Sequence, residues 1–373
     1  MRVDSFRYEL PPKLIAQHPA PDRESARLLC LPPKGGEPEN RRVSELPELL
    51  PPGALVVVND TRVLPARLIG RKRDSGGGVE LLLLERVGTR ELAVAPGDSR
   101  RVEIWHALGR ANKPLRPGTD VVVTRKFSSG DGRTRTLMVR VLGLVDEDGV
   151  FEVALSTPDD EAIDSTVRAC GLVPLPPYIR RDAEPEDAER YQTVYAHNEG
   201  AVAAPTAGLH LTTGLLRRLD ARGCQVTSVT LHVGVGTFRP VTEDDLDAHR
   251  MHHERYTVSQ SAAEAIATAR ERRAPVVAIG TSTVRALETA ADPGRIGHVI
   301  PASAETRLLV QPGHEWRVVD ALLTNFHLPR STLLALVCAF GGTERVLEAY
   351  RLAAHRQYRF LSYGDAMLLW RQL

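Results

Sequence analysis

The sequence predicts an α/β fold class: a layered α/β domain with a largely parallel sheet, plus an inserted small β-barrel domain. Three observations predict it. From about residue 200, strand-like and helix-like segments alternate. Between about residues 65 and 155, short strands are cut by Gly-rich turns with almost no helical periodicity. The strand-like GALVVVND (53–60) precedes that β-rich run but reads as part of the α/β layer. The expected domains are therefore 1–64 with 156–373 for the α/β domain, and 65–155 for the β-barrel-like domain. A length of 373 residues suits about two domains.

In chain order, the β-rich segment offers VELLLLERV (79–87), RELAVA (90–95), DVVVTRKF (120–127), RTLMVRVLGLV (135–145) and VFEVAL (150–155). Turn signals at Ser75–Gly78, Pro96–Asp98, Pro117–Gly118 and Ser128–Gly132 separate them. The acidic, Pro-rich PLPPYIRRDAEPEDAERYQ that follows reads as a linker or loop whose aromatics keep part of it ordered. TTGLLRRLDARG (212–223) reads as a helix ending at Gly223, and CQVTSVTLHVGVG as the next strand. SAAEAIATARERR (261–273) is a helix opened by a capping box of Ser261 and Glu264. APVVAIG (274–280) is a buried strand leading into the helix TSTVRALETAA (281–291). VVDALLTNF (318–326) reads as a strand. STLLALVCAF (331–340) reads as a helix capped by Ser331, and the tail from Thr343 to Gln357 as another helix.

Composition narrows the function classes. Lys+Arg number 48 against 47 Asp+Glu, a net charge of +1, and 42% of residues are apolar. This excludes a globally basic nucleic-acid coat protein and an acidic disordered chain. Cys30, Cys170, Cys224 and Cys338 are far apart, which excludes a zinc ribbon, a disulfide framework and a close cysteine triplet. The reducing cytoplasm is the expected compartment. MRVDSFRYELPPKLIAQHP lacks an apolar core, so no signal peptide is expected, and no apolar run is long enough to span a bilayer.

Four polar clusters fall where strands are expected to end: Asn59-Asp60-Thr61-Arg62, His232 to Arg239, Gly280 to Thr283, and Thr324 to His327. In open α/β sheets, ligands sit beyond the carboxyl ends of the strands, so one pocket can gather all four. Each can also be an ordinary cap or turn. GTSTVRALE opens a helix whose free N–H groups attract a carboxylate or phosphate, besides simple capping by Thr281 or Ser282. GVGTFR (234–239) is a poor dinucleotide signature, because Arg239 replaces the third glycine. HRMHHERY (249–256) invites a zinc reading through His249, His252, His253 and Glu254. Its spacing is not His-Glu-x-x-His, and a polar loop lining a pocket is preferred, with no metal expected. In GAVAAPTAGLHLT (200–212) the small residues permit close backbone approach, with Thr206 and His210 beside them. Basic pairs and triplets such as Arg71-Lys72-Arg73 read as solvated surface. Tyr178, Tyr191 and Tyr195, interleaved with arginines, have the makings of RNA stacking contacts.

APTAGLH, LHVGVGTF and TNFHLPRSTL, with FRYELPPKLIAQHP, VVVNDTRVLPARLIGRK and YRFLSYGDAMLL, closely resemble the S-adenosylmethionine:tRNA ribosyltransferase-isomerase family of queuosine biosynthesis. The matching segments run from residue 6 to 369. Leu211 stands where the family usually has Phe, and GTSTVR permutes its hydroxyl residues.

The resemblance implies an enzyme that transfers and isomerises the ribosyl group of S-adenosylmethionine onto 7-aminomethyl-7-deazaguanine at the wobble position of tRNA. The products are epoxyqueuosine-tRNA, adenine and methionine. It implies a cytoplasmic monomer with no resident cofactor and no metal, S-adenosylmethionine being consumed as cosubstrate. The partner is the anticodon stem-loop, and no membrane is involved.

That chemistry needs a base beside the sulfonium, an acid for the adenine, donors for the methionine carboxylate and a splayed tRNA base. His210, His232, His252 and His327 are the acid–base candidates, with Glu254 and Asp365 as partners. Thr281, Ser282, Thr283 and Arg285 form the expected carboxylate cradle. Asn325, Thr237 and Thr206 are positioning donors, Gly234 and Gly236 allow close ligand approach, and Tyr191, Tyr195 and Arg239 are RNA contacts. Two other classes fit the residues less fully: a non-catalytic nucleotide- or RNA-binding module, and a metal-dependent hydrolase built on His249, His252 and His253.

Overall fold

The computed structural model describes residues 1–372 apart from 34–35, 96–97, 127–133, 147–148, 159–160, 235, 237–240 and 242. The strands are β1 (Arg27–Leu31), β2 (Glu39–Arg42), β3 (Leu55–Asn59), β4 (Thr61–Val63), β5 (Arg67–Lys72), β6 (Gly78–Ala95), β7 (Asp98–Ala111), β8 (Asp120–Lys126), β9 (Thr134–Leu144), β10 (Val150–Ser156), β11 (Asn198–Ala201), β12 (Gln225–Leu231), β13 (Glu254–Val258), β14 (Val276–Ile279), β15 (Ala302–Thr306), β16 (Ala321–Asn325) and β17 (Ala366–Trp370). The α-helices are α1 (Leu46–Leu49), α2 (Ile163–Cys170), α3 (Asp187–Arg190), α4 (Thr213–Ala221), α5 (Gln260–Glu271), α6 (Thr281–Thr289), α7 (Thr332–Gly341) and α8 (Thr343–His355).

The chain divides into two compact units. The first comprises Met1–Arg62, Pro176–Asp182 and Glu189–Leu373; the second comprises Val63–Leu175 and Ala183–Ala188. The second boundary therefore falls later than the expected residue 155. The cause is α2, whose buried Thr166, Val167 and Cys170 face the strands before it, and whose Cys170 thiol reaches the Arg135 carbonyl at 3.6 Å.

The first unit is built on a nine-stranded sheet in the order β15-β13-β12-β3-β14-β16-β17-β1-β2. The expectation of a largely parallel sheet needs correction. β12, β3, β14 and β16 run parallel as neighbours, as do β17 and β1, but the other four neighbouring pairs are antiparallel. The period of two explains why the sheet needs helices on both sides. Leu55 and Val57 enter one apolar cluster with residues of α5, α6, α7 and α8, while Val56 and Val58 enter another with residues of α1 and α4.

The helices begin where cap chemistry allows. Thr212 Oγ1 accepts from Leu215 N at 3.0 Å to start α4, and Ser331 Oγ from Leu334 N at 3.2 Å to start α7. For α5 the cap is Ser259, not the expected Ser261: its Oγ accepts from Ala262 N at 3.1 Å, and Glu264 instead takes the Gln260 amide at 2.8 Å.

The second unit holds a six-stranded antiparallel sheet in the order β10-β7-β6-β5-β8-β9, with β9 also paired to β10. The two short strands expected between 79 and 95 are one 18-residue strand, β6. It absorbs Gly88 and its neighbours through register shifts against β7.

α6 is tied to the chain entering β16 by Glu288. This buried carboxylate accepts from the amides of Arg317, Val318 and Val319, each at 3.0 Å. Removing it strands three donors. Glu288→Ala is expected to lower unfolding free energy by about 2 kcal/mol or more in urea titrations, and Glu288→Gln by less. A stability within about 0.5 kcal/mol of wild type would contradict this role.

Candidate active site

Because β12, β3, β14 and β16 are parallel, their carboxyl ends share one edge of the sheet. The described residues of the four polar clusters lie there. Asn59, at the end of β3, makes four hydrogen bonds. Its Nδ2 donates to Leu231 O (2.9 Å) and Ser282 Oγ (3.0 Å), and its Oδ1 accepts from Thr61 N (3.1 Å) and Leu231 N (3.0 Å). One side chain thus stitches β12 to the start of α6. Gly280, between β14 and α6, has φ +90°, which a residue with a Cβ rarely adopts. That conformation lets the helix begin directly at the strand end, with its first amides facing the edge.

A cleft opens at this edge. Its walls include Ala203–Ala207, Thr281, Ser282, Arg285, Asn325 and His327, closed by Tyr178, Glu254 and Ser362. Glu254, at the start of β13, is 5% exposed and Arg285, one turn into α6, also 5%. Arg285 Nη1 donates to Glu254 Oε2, and its Nε donates to Leu308 O at 3.0 Å. Glu254 Oε1 accepts from Gly234 N at 3.0 Å. Burial pushes the Arg285 pKa down to about 10, so the guanidinium remains charged at neutral pH. Among the described residues, its Nη2 has no hydrogen-bond partner. A buried charged donor without a partner, on a residue that lines a cleft, is a candidate to bind a ligand anion.

Opposite stand the groups at the end of β16. Asn325 Oδ1 accepts from Thr206 Oγ1 at 2.8 Å, and its Nδ2 reaches His210 Nε2 at 3.3 Å and Asp365 O at 3.5 Å. His327 Nε2 lies 2.9 Å from Thr324 Oγ1. Burial pushes His327 down to about 3 and His210 down to about 4, so both rings are neutral at physiological pH. Tyr178 Oη sits 2.7 Å from Ser362 Oγ, and burial pushes it up to about 12.

The structure therefore brings Thr206, Glu254, Thr281, Ser282, Arg285, Asn325 and His327 to one cleft. The other expected site residues stand elsewhere. His210 lies behind Asn325, among Arg23, Arg190 and Tyr363. His232 is held by Thr61 Oγ1 at 2.9 Å, and a Cβ on Gly200 would come within 2.9 Å of its ring. His252 packs on Gly236, where a Cβ would come within 2.5 Å of the ring. Gly234 serves through its amide to Glu254. Thr283 turns its hydroxyl back to the carbonyl of Ile279 at the end of β14, at 2.7 Å, which removes it from the cradle. Asp365 spends its carboxylate on the amides of Arg27 (2.9 Å) and Arg359 (2.8 Å), so it shapes a loop. Tyr191 is fully buried edge-on to Tyr363, with 5.8 Å between ring centroids, and offers no free face for stacking. The Tyr195 hydroxyl is buried over Gly208. Thr237 and Arg239 lie outside the described residues. The neighbouring histidines take separate partners: His249 with Glu243 at 2.8 Å, and His253 with Glu305 at 3.0 Å.

Tyr178, read from the sequence as an RNA-stacking aromatic, lines the cleft instead, and Ser362 is a cleft residue that sequence reasoning missed. The buried aromatics of the Pro-rich stretch were the available signal for the first. HRMHHERY was expected as a loop, but its second half is β13. The alternation of buried Glu254, Tyr256 and Val258 with exposed Arg255 and Thr257 was legible, masked by a charged residue at an inward position.

Fold and cleft together define an α/β enzyme with its ligand site beyond the carboxyl ends of parallel strands. Residues 3–369 match the family described as queuosine biosynthesis protein, and the chain belongs to that family. It is 55% identical over 377 aligned residues to the S-adenosylmethionine:tRNA ribosyltransferase-isomerase of Sorangium cellulosum (strain So ce56), covering 99% of this chain and 98% of the relative. It is 52% identical to the protein of that name from Anaeromyxobacter dehalogenans (strain 2CP-C), over the whole of both chains. The crystal structure of the S-adenosylmethionine tRNA ribosyltransferase from Thermotoga maritima is similar with a TM-score of 0.52 and 36% identity, across 98% of this chain and 99% of that one.

The two depressed histidines set a pH dependence of stability. Unfolded, each titrates near 6.5; folded, they titrate at about 4 and about 3. The unfolded state binds the extra protons, so this stability is complete above about pH 6.5 and is lost as pH falls towards 4 and 3. His327→Gln should flatten the fall of unfolding free energy between pH 6.5 and 4, measured in urea at several pH values. An unchanged slope would contradict the assignment.

Proposed function

We propose that this protein is an S-adenosylmethionine:tRNA ribosyltransferase-isomerase acting in queuosine biosynthesis. It moves and isomerises the ribosyl group of S-adenosylmethionine onto 7-aminomethyl-7-deazaguanine at the tRNA wobble position, giving epoxyqueuosine-tRNA, adenine and methionine. Family membership supports the reaction class. The observation that supports it in the structure is the buried, unpartnered Nη2 of Arg285, a residue that lines the cleft at the start of α6. A guanidinium beside free helix N-terminal amides suits the carboxylate of the methionine portion.

Arg285 and the amides around Thr281 and Ser282 bind that carboxylate. Glu254 is a positioning residue: it neutralises Arg285 and fixes its plane, which a lone buried guanidinium lacks. Asn325 and Thr206 offer donors and acceptors to the ribosyl hydroxyls. His210 and Asp365 act through Asn325, holding its amide.

Within the cleft we assign the base to His327. Glu254 is tied to Arg285, and the Tyr178 hydroxyl is pushed up to about 12. His327 is neutral in the folded protein and so has an unprotonated ring nitrogen; the burial that keeps it neutral also weakens it as a base, so the transfer relies on the positive sulfur acidifying the neighbouring carbon.

S-adenosylmethionine is consumed, and the reading involves no resident cofactor. The family resemblance supports a cytoplasmic monomer and an anticodon stem-loop as the tRNA portion engaged. The pairing of β9 with β10 supports reading the second unit as a small β-barrel.

Purified protein is expected to release adenine from S-adenosylmethionine only when tRNA bearing the aminomethyl-deazaguanine base is present, read by chromatography of the nucleobase. His327→Ala should lower that rate about 10²-fold, with S-adenosylmethionine binding retained. Adenine release independent of the modified tRNA, or none at all, would overturn the reaction. A folded His327→Ala protein with near-normal turnover would remove the base.

A further inference from the structure

One outward face of the second unit carries cations that the cleft chemistry does not use. In the register of β5, β6 and β7, Ile69 lies opposite Glu80, and Glu80 opposite Arg110; Arg71 lies opposite Gly78 and Val122. Residues directly opposite share a face, so these groups surround one shallow concavity, with Asn112 and Thr124 at its margin. Gly78 leaves it open, since a Cβ there would meet nothing within 4 Å.

The local acids are largely neutralised. Glu80 is held by Arg67 through contacts of 2.9 and 3.1 Å, and Asp120 by Arg140 through contacts of 2.7 and 2.9 Å. Lys72 Nζ is turned onto the carbonyls of Lys113 and Pro114 at 3.1 and 3.2 Å, which draws the loop bearing Lys113 to this rim. Arg71, Arg73, Arg110 and Lys113 are all exposed. Among the described residues none of the four is in an ion pair, and Asp74 is the unpaired acid beside them. In a chain of net charge +1, such a local excess of unpaired cations is not a by-product of overall composition.

We propose that this face is a docking surface for the sugar-phosphate backbone of tRNA. The proposal rests on the tRNA reading above. Arg71 and Arg110 provide planar forks for phosphate oxygens, while Asn112 and Thr124 provide neutral donors. Contacts to phosphate oxygens carry no base identity, so the surface positions RNA and does not read sequence. It contributes a few phosphate contacts, consistent with a near-neutral protein that nevertheless binds RNA.

The test measures full-length tRNA binding by fluorescence anisotropy across a salt series. Compared are wild type, the pair Arg71→Gln/Arg110→Gln, and a control pair on the first unit, Arg222→Gln/Arg272→Gln. All replaced side chains are exposed, and a thermal melt checks folding of each variant. The Arg71/Arg110 pair should weaken binding about 10-fold and make the slope of log K against log salt shallower by about 2. Its S-adenosylmethionine affinity and melt, and all properties of the control pair, should match wild type. Wild-type affinity and slope in the Arg71/Arg110 pair, or an equal loss in the control pair, would overturn the surface. Wild type that shows adenine release beside unchanged variant binding leaves the reaction standing and removes the surface. Wild type that binds tRNA through these arginines but releases no adenine removes the reaction and leaves the surface.

Discussion

The buried Arg285–Glu254 pair is the interaction on which the site depends. Taking both charges out of water is costly, and the pair persists only because its remaining atoms are almost fully engaged. Glu254 holds the Gly234 amide, and Arg285 holds the Leu308 carbonyl. The chain leaving β12, the start of β13, the segment after β15 and the first turn of α6 are therefore fixed against one another. Within the pair, one donor, Nη2, finds no partner among the described residues, and it belongs to a residue that lines the cleft. Buried donors of this kind are rare in proteins unless a ligand completes them.

The parallel centre of the sheet makes this arrangement possible. Antiparallel neighbours would send alternate strand ends to opposite edges. Four parallel strands deliver Asn59, Gly280, Asn325 and the exit of β12 to the same edge. The antiparallel flank serves differently: β13 runs against β12 and so returns Glu254 to the edge that β12 has just reached. A purely parallel sheet would not place that carboxylate beside α6. The mixed topology is thus part of the site.

Much of this was legible in the sequence. Strong periodicity and caps located β3, α4, β14, α6, α7 and α8, and the polar residues at strand ends located the cleft before any geometry. Three kinds of information were not local. β1 and β17 are buried on both faces, and their short apolar runs carry no period that separates strand from helix. β13 hides behind Glu254, whose inward position is explained only by Arg285 31 residues away. The histidines look alike in sequence, yet tertiary packing sorts them: His327 into the cleft, His210 behind Asn325, His232 against Thr61 and His252 onto Gly236. Residue type named the candidates, and only packing could assign them.

The central claim is that Arg285 receives the carboxylate of S-adenosylmethionine. It is tested most directly by a thermodynamic cycle, using calorimetric binding of S-adenosylmethionine and its decarboxylated analogue to two proteins. One is Glu254→Gln; the other carries Arg285→Gln in that background, so that no buried carboxylate is left unpaired. Loss of the carboxylate should weaken binding about 10- to 100-fold in the first protein, as expected for a charge-assisted hydrogen bond, and hardly at all in the second. An equal loss in both proteins would contradict the account.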